Sequence, residues 1–253
     1  MLADPKVEPP VLVVAHRALS EGVPENSLAG IRRAREAGAD LVELDVRRSI
    51  DGGPYLLHDR SLGRTTTGRG LLRLLPSRYL RGVRLLDGNE RLPTLAAALH
   101  VLPDGLSPAL HLKDQGSLVA ALRVIQTAGL EASTWLWLHG TASTRIAQRL
   151  APAARVTLLE AGATTLSQWV RHLDAAQSAG AAGVSIPWPD LSPSLLDEVN
   201  GRGLRSFSLA HDLESVPVMI QHGLTGIITD HPAATRRVLQ AMERTSGTRS
   251  SSS

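Results

Sequence analysis

Residues that can transfer protons, hold metal ions or bind anions stand at the ends of short apolar runs in this sequence. The clearest set is His16, Arg17, Glu43, Asp45, His58, His111 and Lys113, and later runs add His139, Glu160, Ser208 and Asp230. The runs have the length and β-branched content of strands. We therefore expect these polar groups to gather at one end of a sheet. Cysteine is absent, which excludes thiol catalysis and thiolate metal sites.

The segment Glu43-Leu44-Asp45 indicates a metal site. Side chains alternate between the two faces of a strand, so both carboxylates lie on one face. Adjacent anions repel each other, and a bound divalent cation relieves the repulsion. Oxygen ligands suit Mg²⁺ or Ca²⁺. The E-x-D motif by itself is weak evidence for a metal site. The alternative is a solvent-exposed strand with alternating charge.

A hairpin is expected to bring His58 to the same place. Only residues 47–54 separate the second apolar run from the third, which leaves no room for a helix, and Asp51-Gly52 favours a tight turn. With these residues as the turn, His58 lies opposite Asp45, with the two Cβ atoms about 5 Å apart. For His58 taken alone, a histidine bonded to backbone groups is the alternative.

Two further positions favour a phosphate ligand. Arg17 follows His16 at the end of the first run, and a guanidinium matches phosphate oxygens while an imidazole exchanges protons near neutral pH. Lys113 is the only lysine beyond Lys6, and it ends a predicted strand. A lone lysine at that position suits a point-charge contact to phosphate.

Strand-like runs alternate with helix-period segments along the chain. The strands are predicted at 11–16, 41–46, 55–58, 109–113, 134–138, 155–159, 183–186, 204–209 and 226–229. This alternation predicts a parallel sheet covered by helices, and eight repeats close it into a TIM-type (β/α)8 barrel. The run at 55–58 is an antiparallel hairpin strand, and residues 60–92 form a short insertion above the barrel. Asn26 is the expected N-cap of the first helix.

Length and charge limit the domain organisation and the partners. We expect one barrel domain over 11–244, an N-terminal extension over 1–10 and a disordered Ser-rich tail over 245–253. A net charge of +3 suits a small anionic substrate, and nucleic acid is not expected because the arginines are spread and aromatic residues make up 3%. We see neither a signal peptide nor a membrane span, so we expect a cytoplasmic protein.

Motifs along the chain resemble those of the glycerophosphodiester phosphodiesterase family, in order and at similar spacing. The matching segments are His16-Arg17-Ala18 for H-R-G, Pro24-Glu25-Asn26-Ser27 for P-E-N-T, 38–46 for G-A-D-x-I-E-x-D-V, Asp51-Gly52 with His58-Asp59 for D-G…H-D, 62–68 for L-x-R-T-T-x-G, 92–95 for I-P-T-L and 227–232 for I-I-T-D-x-P. The resemblance covers both ends of the predicted barrel.

The resemblance implies a metal-dependent phosphodiesterase that cleaves glycerophosphodiesters to an alcohol and glycerol 3-phosphate. It implies one divalent metal ion on Glu43 and Asp45, with Mg²⁺ or Ca²⁺ favoured and Mn²⁺ as an alternative. His16 and His58 would act as general base and general acid. Arg17 and Lys113 would neutralise the negative charge on the phosphoryl oxygens. It also implies that the substrate's own glycerol hydroxyl attacks first, through a cyclic phosphate.

Three positions depart from the family's motifs. Ala18 replaces the glycine after His-Arg, and Phe207 stands where the family has a tryptophan near the substrate, so we expect Phe207 to contact the substrate. His111 replaces the glutamate that supplies a third metal ligand. Relative to carboxylate, imidazole favours Mn²⁺ or Zn²⁺ over Ca²⁺. The expected third ligand is His111, and Glu160 is the alternative.

Two other functions stay open at this point. One keeps the site and changes the substrate, as in a lysophospholipase D or a natural-product phosphodiester enzyme, with Phe207 and Ala18 reshaping the pocket. The other is a binding protein that kept the barrel and lost the metal. The two histidines argue against a binding protein, because binding alone has no use for an acid–base pair.

Overall fold

A closed ring of parallel strands forms the centre of this computed structural model, which describes residues 11–19, 22–86, 89–159 and 162–250. The strands are β1 (Leu12–Ala15), β2 (Leu41–Arg48), β3 (Pro54–Leu56), β4 (Ser107–Leu112), β5 (Trp135–His139), β6 (Arg155–Leu159), β7 (Gly183–Ser185), β8 (Arg205–Leu209) and β9 (Gly226–Thr229). They follow the order β1-β9-β8-β7-β6-β5-β4-β2, and β1 also pairs with β2, which closes the ring. The predicted TIM-type barrel is confirmed.

Helices surround the ring. They are α1 (Leu28–Glu36), α2 (Ser77–Leu80), α3 (Leu95–His100), α4 (Leu118–Thr127), α5 (Thr141–Leu150), α6 (Leu166–Ser178), α7 (Pro193–Gly201), α8 (Val216–Gln221) and α9 (Pro232–Ser250). In the described part of the chain, no helix is both long and apolar enough to cross a membrane.

Alternation along each strand decides which side chains enter the barrel. On β2, Val42 and Leu44 face outward and join the apolar layer beneath the helices. Leu41 faces inward and packs with residues from the other strands of the ring. Glu43 and Asp45 share the parity of Leu41, so β2 carries both carboxylates into the barrel above its apolar floor.

The hairpin forms, but in a different register from the predicted one. Arg47 pairs with Tyr55 and Arg48 with Pro54, so the strands are shifted by one residue and β3 ends before His58. The shift arises because the amide of Ser49 donates to the carbonyl of Gly53 at 2.9 Å, which leaves a three-residue turn over 50–52. Gly52 adopts φ of 90° in that turn, a left-handed conformation that glycine accepts at little cost.

The predicted insertion is compact. Short bridges join Ser61 to Leu71 and Thr66 to Leu85, and they enclose an apolar cluster of their own. The buried members of that cluster are Tyr55, Leu57, Leu62, Leu72, Leu80, Val83, Leu85 and Leu92. We refer to residues 60–92 as the insertion lobe. Because the lobe follows directly after His58, its packing determines where that histidine lies.

The ends of the domain differ from the prediction in one respect. Helix α9 continues through Ser250, so residues 245–250 are helical where a disordered tail is predicted. The predicted extension over 1–10 and the last residues, 251–253, lie outside the described residues.

Phe207 fills the apolar floor of the barrel. Its ring is fully buried, with its centroid 5.1 Å from that of Trp135 and 5.6 Å from that of Trp137. A Cβ atom at Gly226 would lie 2.3 Å from Cδ1 of Phe207. The barrel therefore needs glycine at position 226 to accommodate the ring.

This packing makes Gly226→Ala destabilising. Because the added methyl group must push the ring aside in a closed core, we expect a loss of about 1–3 kcal/mol in the free energy of unfolding, measured by urea denaturation. Gly201→Ala is the control, since a Cβ there meets no atom within 4 Å at the end of α7. Equal denaturation midpoints for the two variants would contradict the packing argument.

Candidate active site

Glu43, Asp45 and His111 form a cluster at the carboxyl end of the barrel. Asp45 on β2 pairs in register with His111 on β4, and both carboxylates are only 1% exposed. Nδ1 of His111 lies 3.4 Å from Oε1 of Glu43 and 3.7 Å from Oδ1 of Asp45. The ligand atoms of all three residues lie within 4.8 Å of one another. The structure thus brings the three predicted metal ligands together.

The two carboxylates lie in opposite electrostatic environments. Burial, together with the charge of Asp45, raises the pKa of Glu43. Burial would also raise the pKa of Asp45, but the ammonium of Lys113 and a hydrogen bond from Asn26 lower it below its usual value. Asp45 is therefore held ionised. Glu43 has no comparable counter-ion, so a cation bound beside it would favour its ionised form.

Lys113 lies at the cluster itself. Its Nζ is 2.9 Å from Oδ1 of Asp45 and donates to Nδ1 of His111 at 2.8 Å. Burial and the neighbouring ammonium lower the pKa of His111 to about 3. His111 is consequently neutral at physiological pH, with the lone pair of Nδ1 turned toward the cluster.

The donor set fits a divalent cation. Two carboxylates and one neutral imidazole supply hard oxygen and borderline nitrogen ligands. The ligand atoms lie near enough to one another to close around one ion, provided that Lys113 gives up its hydrogen bond to Nδ1 of His111. Glu160, the alternative third ligand, lies outside the described residues. His139, on the next strand, has its ring centroid 5.8 Å from that of His111 and is not part of the cluster.

The loop from β1 to α1 orients its polar groups through unusual backbone conformations. Arg17, Ala18 and Asn26 are the non-glycine residues with positive φ in the described part of the chain. As a result, the amide of Arg17 donates to Oε2 of Glu43 at 2.8 Å. Ala18, at φ of 52°, occupies the place of the glycine in H-R-G, so its departure from the motif costs backbone strain.

Arg17 and Glu25 lie close to the cluster. Nε of Arg17 is 3.8 Å from Oδ2 of Asp45, and its Nη1 donates to Oε2 of Glu25 at 3.3 Å. The side chain of Arg17 is 22% exposed. The predicted phosphate-binding group therefore lies beside the metal cluster.

Each predicted catalytic histidine is held by a carboxylate. Nδ1 of His16 lies 2.7 Å from Oδ1 of Asp230, and Nδ1 of His58 lies 2.7 Å from Oδ1 of Asp59. An ionised carboxylate only accepts, so these contacts place a proton on each Nδ1 and leave Nε2 as the basic nitrogen. His16 and His58 are both close enough to His111 to lower its pKa.

Sequence reasoning missed the residues that hold the site in place. Asn26 is not the N-cap of α1; the cap is Ser27, whose hydroxyl accepts from the amide of Gly30. Instead, Nδ2 of Asn26 donates to Oδ2 of Asp45 at 2.9 Å, and Oδ1 of Asn26 accepts from the amide of Asp45 at 3.0 Å. The P-E-N-T motif was the available signal, since it contains Asn26.

A chain of ion pairs connects the loop to the insertion lobe. Arg64 of the lobe contacts Glu25 through Nη2 at 2.6 Å, and it contacts Asp59 through Nε. Asp59 in turn holds His58. Asp59 belongs to the H-D motif and Arg64 to the L-x-R-T-T-x-G motif. The motifs therefore indicated these two residues, but only the ion pairs show that they hold His58 and connect the lobe to the loop.

Phe207 does not reach the site. It has no exposed surface, and it lies in the floor of the barrel against Gly183 and Gly226. The predicted substrate contact is therefore wrong. The alternation of side chains along β8 does turn Phe207 toward the inside of the barrel. It lies, however, in the apolar layer below the polar side chains of the site.

The fold and the site together define an α/β-barrel protein with a cluster that could hold a metal ion and with two histidines oriented by carboxylates. The model of the glycerophosphoryl diester phosphodiesterase family matches residues 16–234. The chain belongs to this family, which confirms the resemblance found in the motifs and identifies the chain as a phosphodiester hydrolase.

Individual relatives agree over nearly the whole chain. The glycerophosphodiester phosphodiesterase of Caldanaerobacter subterraneus is 28% identical, over 87% of this chain and 94% of its own. The "Probable glycerophosphodiester phosphodiesterase 1" of Mycobacterium tuberculosis is 30% identical, over 90% and 92%. The structure of an Oleispira antarctica phosphodiesterase in complex with the product sn-glycerol-3-phosphate superposes with a TM-score of 0.79 at 23% identity, covering 90% of this chain and 96% of that one.

The contacts of Asn26 predict that its loss destabilises the protein. Asn26→Gly removes both hydrogen bonds to Asp45 but accepts the positive φ, so we expect a loss of about 1.5–3 kcal/mol in the free energy of unfolding. Asn26→Ala should cost about 1 kcal/mol more because alanine is strained at this φ. Chemical denaturation measures both. A Gly variant as stable as the wild type would show that the hydrogen bonds to Asp45 contribute nothing.

Proposed function

We propose that this chain hydrolyses glycerophosphodiesters to an alcohol and sn-glycerol 3-phosphate, using one bound divalent metal ion and two histidines. The observation that carries the proposal is the placement of His16 and His58, each oriented through Nδ1 by a carboxylate, beside the buried cluster of Glu43, Asp45 and His111. The Oleispira antarctica relative, solved with sn-glycerol-3-phosphate, supports the choice of product.

Glu43, Asp45 and His111 would hold the metal ion, which we expect to be Mg²⁺, Ca²⁺ or Mn²⁺. A bound divalent cation polarises phosphoryl oxygens and lowers the pKa of a neighbouring hydroxyl group. Asn26 and the amide of Arg17 fix the carboxylates in the orientation that this binding needs. These contacts are already formed in the protein, so little reorganisation is required.

The histidines would move the protons. In the first step, Nε2 of His16 takes the proton of the substrate's free glycerol hydroxyl, whose oxygen forms a bond to phosphorus. The bond from phosphorus to the alcohol oxygen breaks, and His58, which enters the step with a second proton on Nε2, donates that proton to the oxygen as the alcohol leaves. In the second step His58 takes a proton from water, the water oxygen opens the cyclic phosphate, and His16 returns its proton to the glycerol oxygen.

The cationic side chains would balance the charge that develops on phosphate. The Arg17 guanidinium lies beside Asp45, and the Lys113 ammonium lies between Asp45 and His111. Fixed positive charges near the phosphoryl oxygens stabilise the transition state more than the ground state, because the charge on those oxygens grows during the reaction.

The alternative of a long-chain lysolipid or a natural-product phosphodiester as substrate gains no support from Phe207 or Ala18. That alternative depended on Phe207 and Ala18 reshaping the substrate pocket. Both side chains are fully buried, so neither lines a surface that a substrate could touch.

The first test is the release of sn-glycerol 3-phosphate from glycerophosphocholine. We expect turnover that a chelator abolishes and added Mn²⁺ or Mg²⁺ restores. His16→Ala and His58→Ala should each lower kcat at least about 100-fold, the usual contribution of a placed proton-transfer group. His222→Ala is the matched control, because His222 is exposed after α8 and precedes β9, at the opposite end of the barrel.

Near-normal kcat in either histidine variant would remove that residue from the mechanism. Full activity in the presence of chelator would remove the metal ion. Circular dichroism melting of each variant separates a catalytic loss from unfolding.

The second test concerns the ligand at position 111. His111→Glu creates a cluster of three carboxylates, so we expect calorimetric affinities to shift toward Mg²⁺ and Ca²⁺ relative to Mn²⁺, by about tenfold or more. His139→Glu adds the same charge one strand away and controls for general electrostatics. Unchanged selectivity in His111→Glu, together with loss of metal binding in Glu160→Gln, would assign the third ligand to Glu160 instead.

A further inference from the structure

A cavity lies between the ends of β2 and β4 and the insertion lobe. It has a volume of about 350 Å³ and is lined by Arg47, Arg60, Leu71, Arg73 and Asp114. Arg47 comes from β2, Asp114 follows β4, and the other three come from the lobe. None of the five belongs to the cluster or to the acid–base pair described above.

The cavity carries an excess of positive charge. Three guanidinium groups face one carboxylate, and that carboxylate is already engaged, with Oδ1 of Asp114 3.3 Å from Nη1 of Arg47. Within the described ranges, neither Arg60 nor Arg73 makes a side-chain ion pair or hydrogen bond. Among the residues that line the cavity, Asp114 alone is anionic, so a bound anion would balance the remaining positive charge.

The cavity also lies on the side from which the alcohol would leave. Nε and Nη2 of Arg47 donate to the backbone carbonyl of His58 at 2.9 and 2.8 Å, and His58 is the group that would protonate the leaving alcohol. Arg47 follows Asp45 by two residues on the same face of β2, a separation of about 7 Å along the strand. Arg47 therefore brings the cavity next to the segment that carries His58, where the alcohol would leave.

We propose that this cavity binds an anionic group, a carboxylate or a phosphate, carried by the alcohol moiety of the substrate. The proposal rests on the proposed function and narrows its substrate class to glycerophosphodiesters with an acidic alcohol. Guanidinium groups suit this role because they match the planar or tetrahedral oxygens of such anions with paired hydrogen bonds. Arg47 links recognition to catalysis, because the same side chain holds the backbone of His58.

Two diesters that differ by one carboxylate test the proposal. Glycerophosphoserine and glycerophosphoethanolamine share every other group. We would measure the Kd of each by calorimetry in the His16→Ala variant with Mg²⁺, so that binding is read without turnover. We expect glycerophosphoserine to bind about tenfold more tightly, since a hydrogen-bonded charge pair that is partly screened by solvent has about this effect.

Substitutions in the lobe locate the effect. Arg60→Gln and Arg73→Gln, each in the His16→Ala background, should bring the Kd ratio of the two diesters close to one. Arg78→Gln is the matched control, because Arg78 is an exposed arginine of the same lobe that does not line the cavity. It should leave the tenfold ratio unchanged.

The outcomes separate this proposal from the proposed function. Equal Kd values for the two diesters would overturn the anion subsite while leaving hydrolysis by the wild type intact. A preserved Kd ratio without turnover by the wild type would support the subsite and contradict the reaction. Binding of inorganic phosphate that Arg73→Gln abolishes, with a Kd ratio close to one in the parent variant, would assign the cavity to a free anion and overturn the substrate assignment.

Discussion

The burial of two like charges side by side is the constraint on which the rest of this site depends. Glu43 and Asp45 are 1% exposed at the top of the barrel, and burying an isolated carboxylate costs several kcal/mol. Every neighbouring element contributes to compensating that cost. β4 supplies His111, Lys113 follows it directly, and the β1–α1 loop supplies Asn26 and the amide of Arg17. The positive φ angles of Arg17 and Asn26 fit this account, since each costs about 1–3 kcal/mol and both residues aim a polar group at a carboxylate.

Histidine at position 111 changes the charge balance of the cluster. With two carboxylates, one ammonium and a neutral imidazole, the cluster carries one negative charge less than a set with a third carboxylate would carry. Lys113 is hydrogen-bonded to both Asp45 and His111, and a metal ion bound to Nδ1 of His111 would displace it from that nitrogen. In the proposed site, the residue at position 111 would therefore affect both the metal preference and the position of Lys113.

The hairpin and the insertion lobe connect the proposed acid–base pair to the proposed anion subsite. His58 lies just before the lobe. Asp59 holds its ring, and Arg47 holds its backbone carbonyl group. Arg64 of the lobe pairs with Glu25 in the β1–α1 loop. Exposed ion pairs contribute little one at a time, but this network ties the lobe to the β1–α1 loop through several partners. A change in the lobe would thus act on the acid–base pair as well as on the arginine-lined cavity beside it.

The sequence by itself determined the barrel, the strand that carries Glu43 and Asp45, and the motifs that mark the site. These properties depend on local periodicity: alternation puts both carboxylates on one face of β2, and apolar spacing indicates the helices that lie between the strands. Tertiary structure decided the rest. Asp230 meets His16 across 214 residues of chain only because β9 pairs with β1, and Asn26 meets Asp45 only because its loop folds over β2. The depth at which Phe207 lies depends on how the ring of strands closes, and the three-residue turn of the hairpin depends on the hydrogen bond from Ser49 to Gly53. Local periodicity carries no information about such contacts.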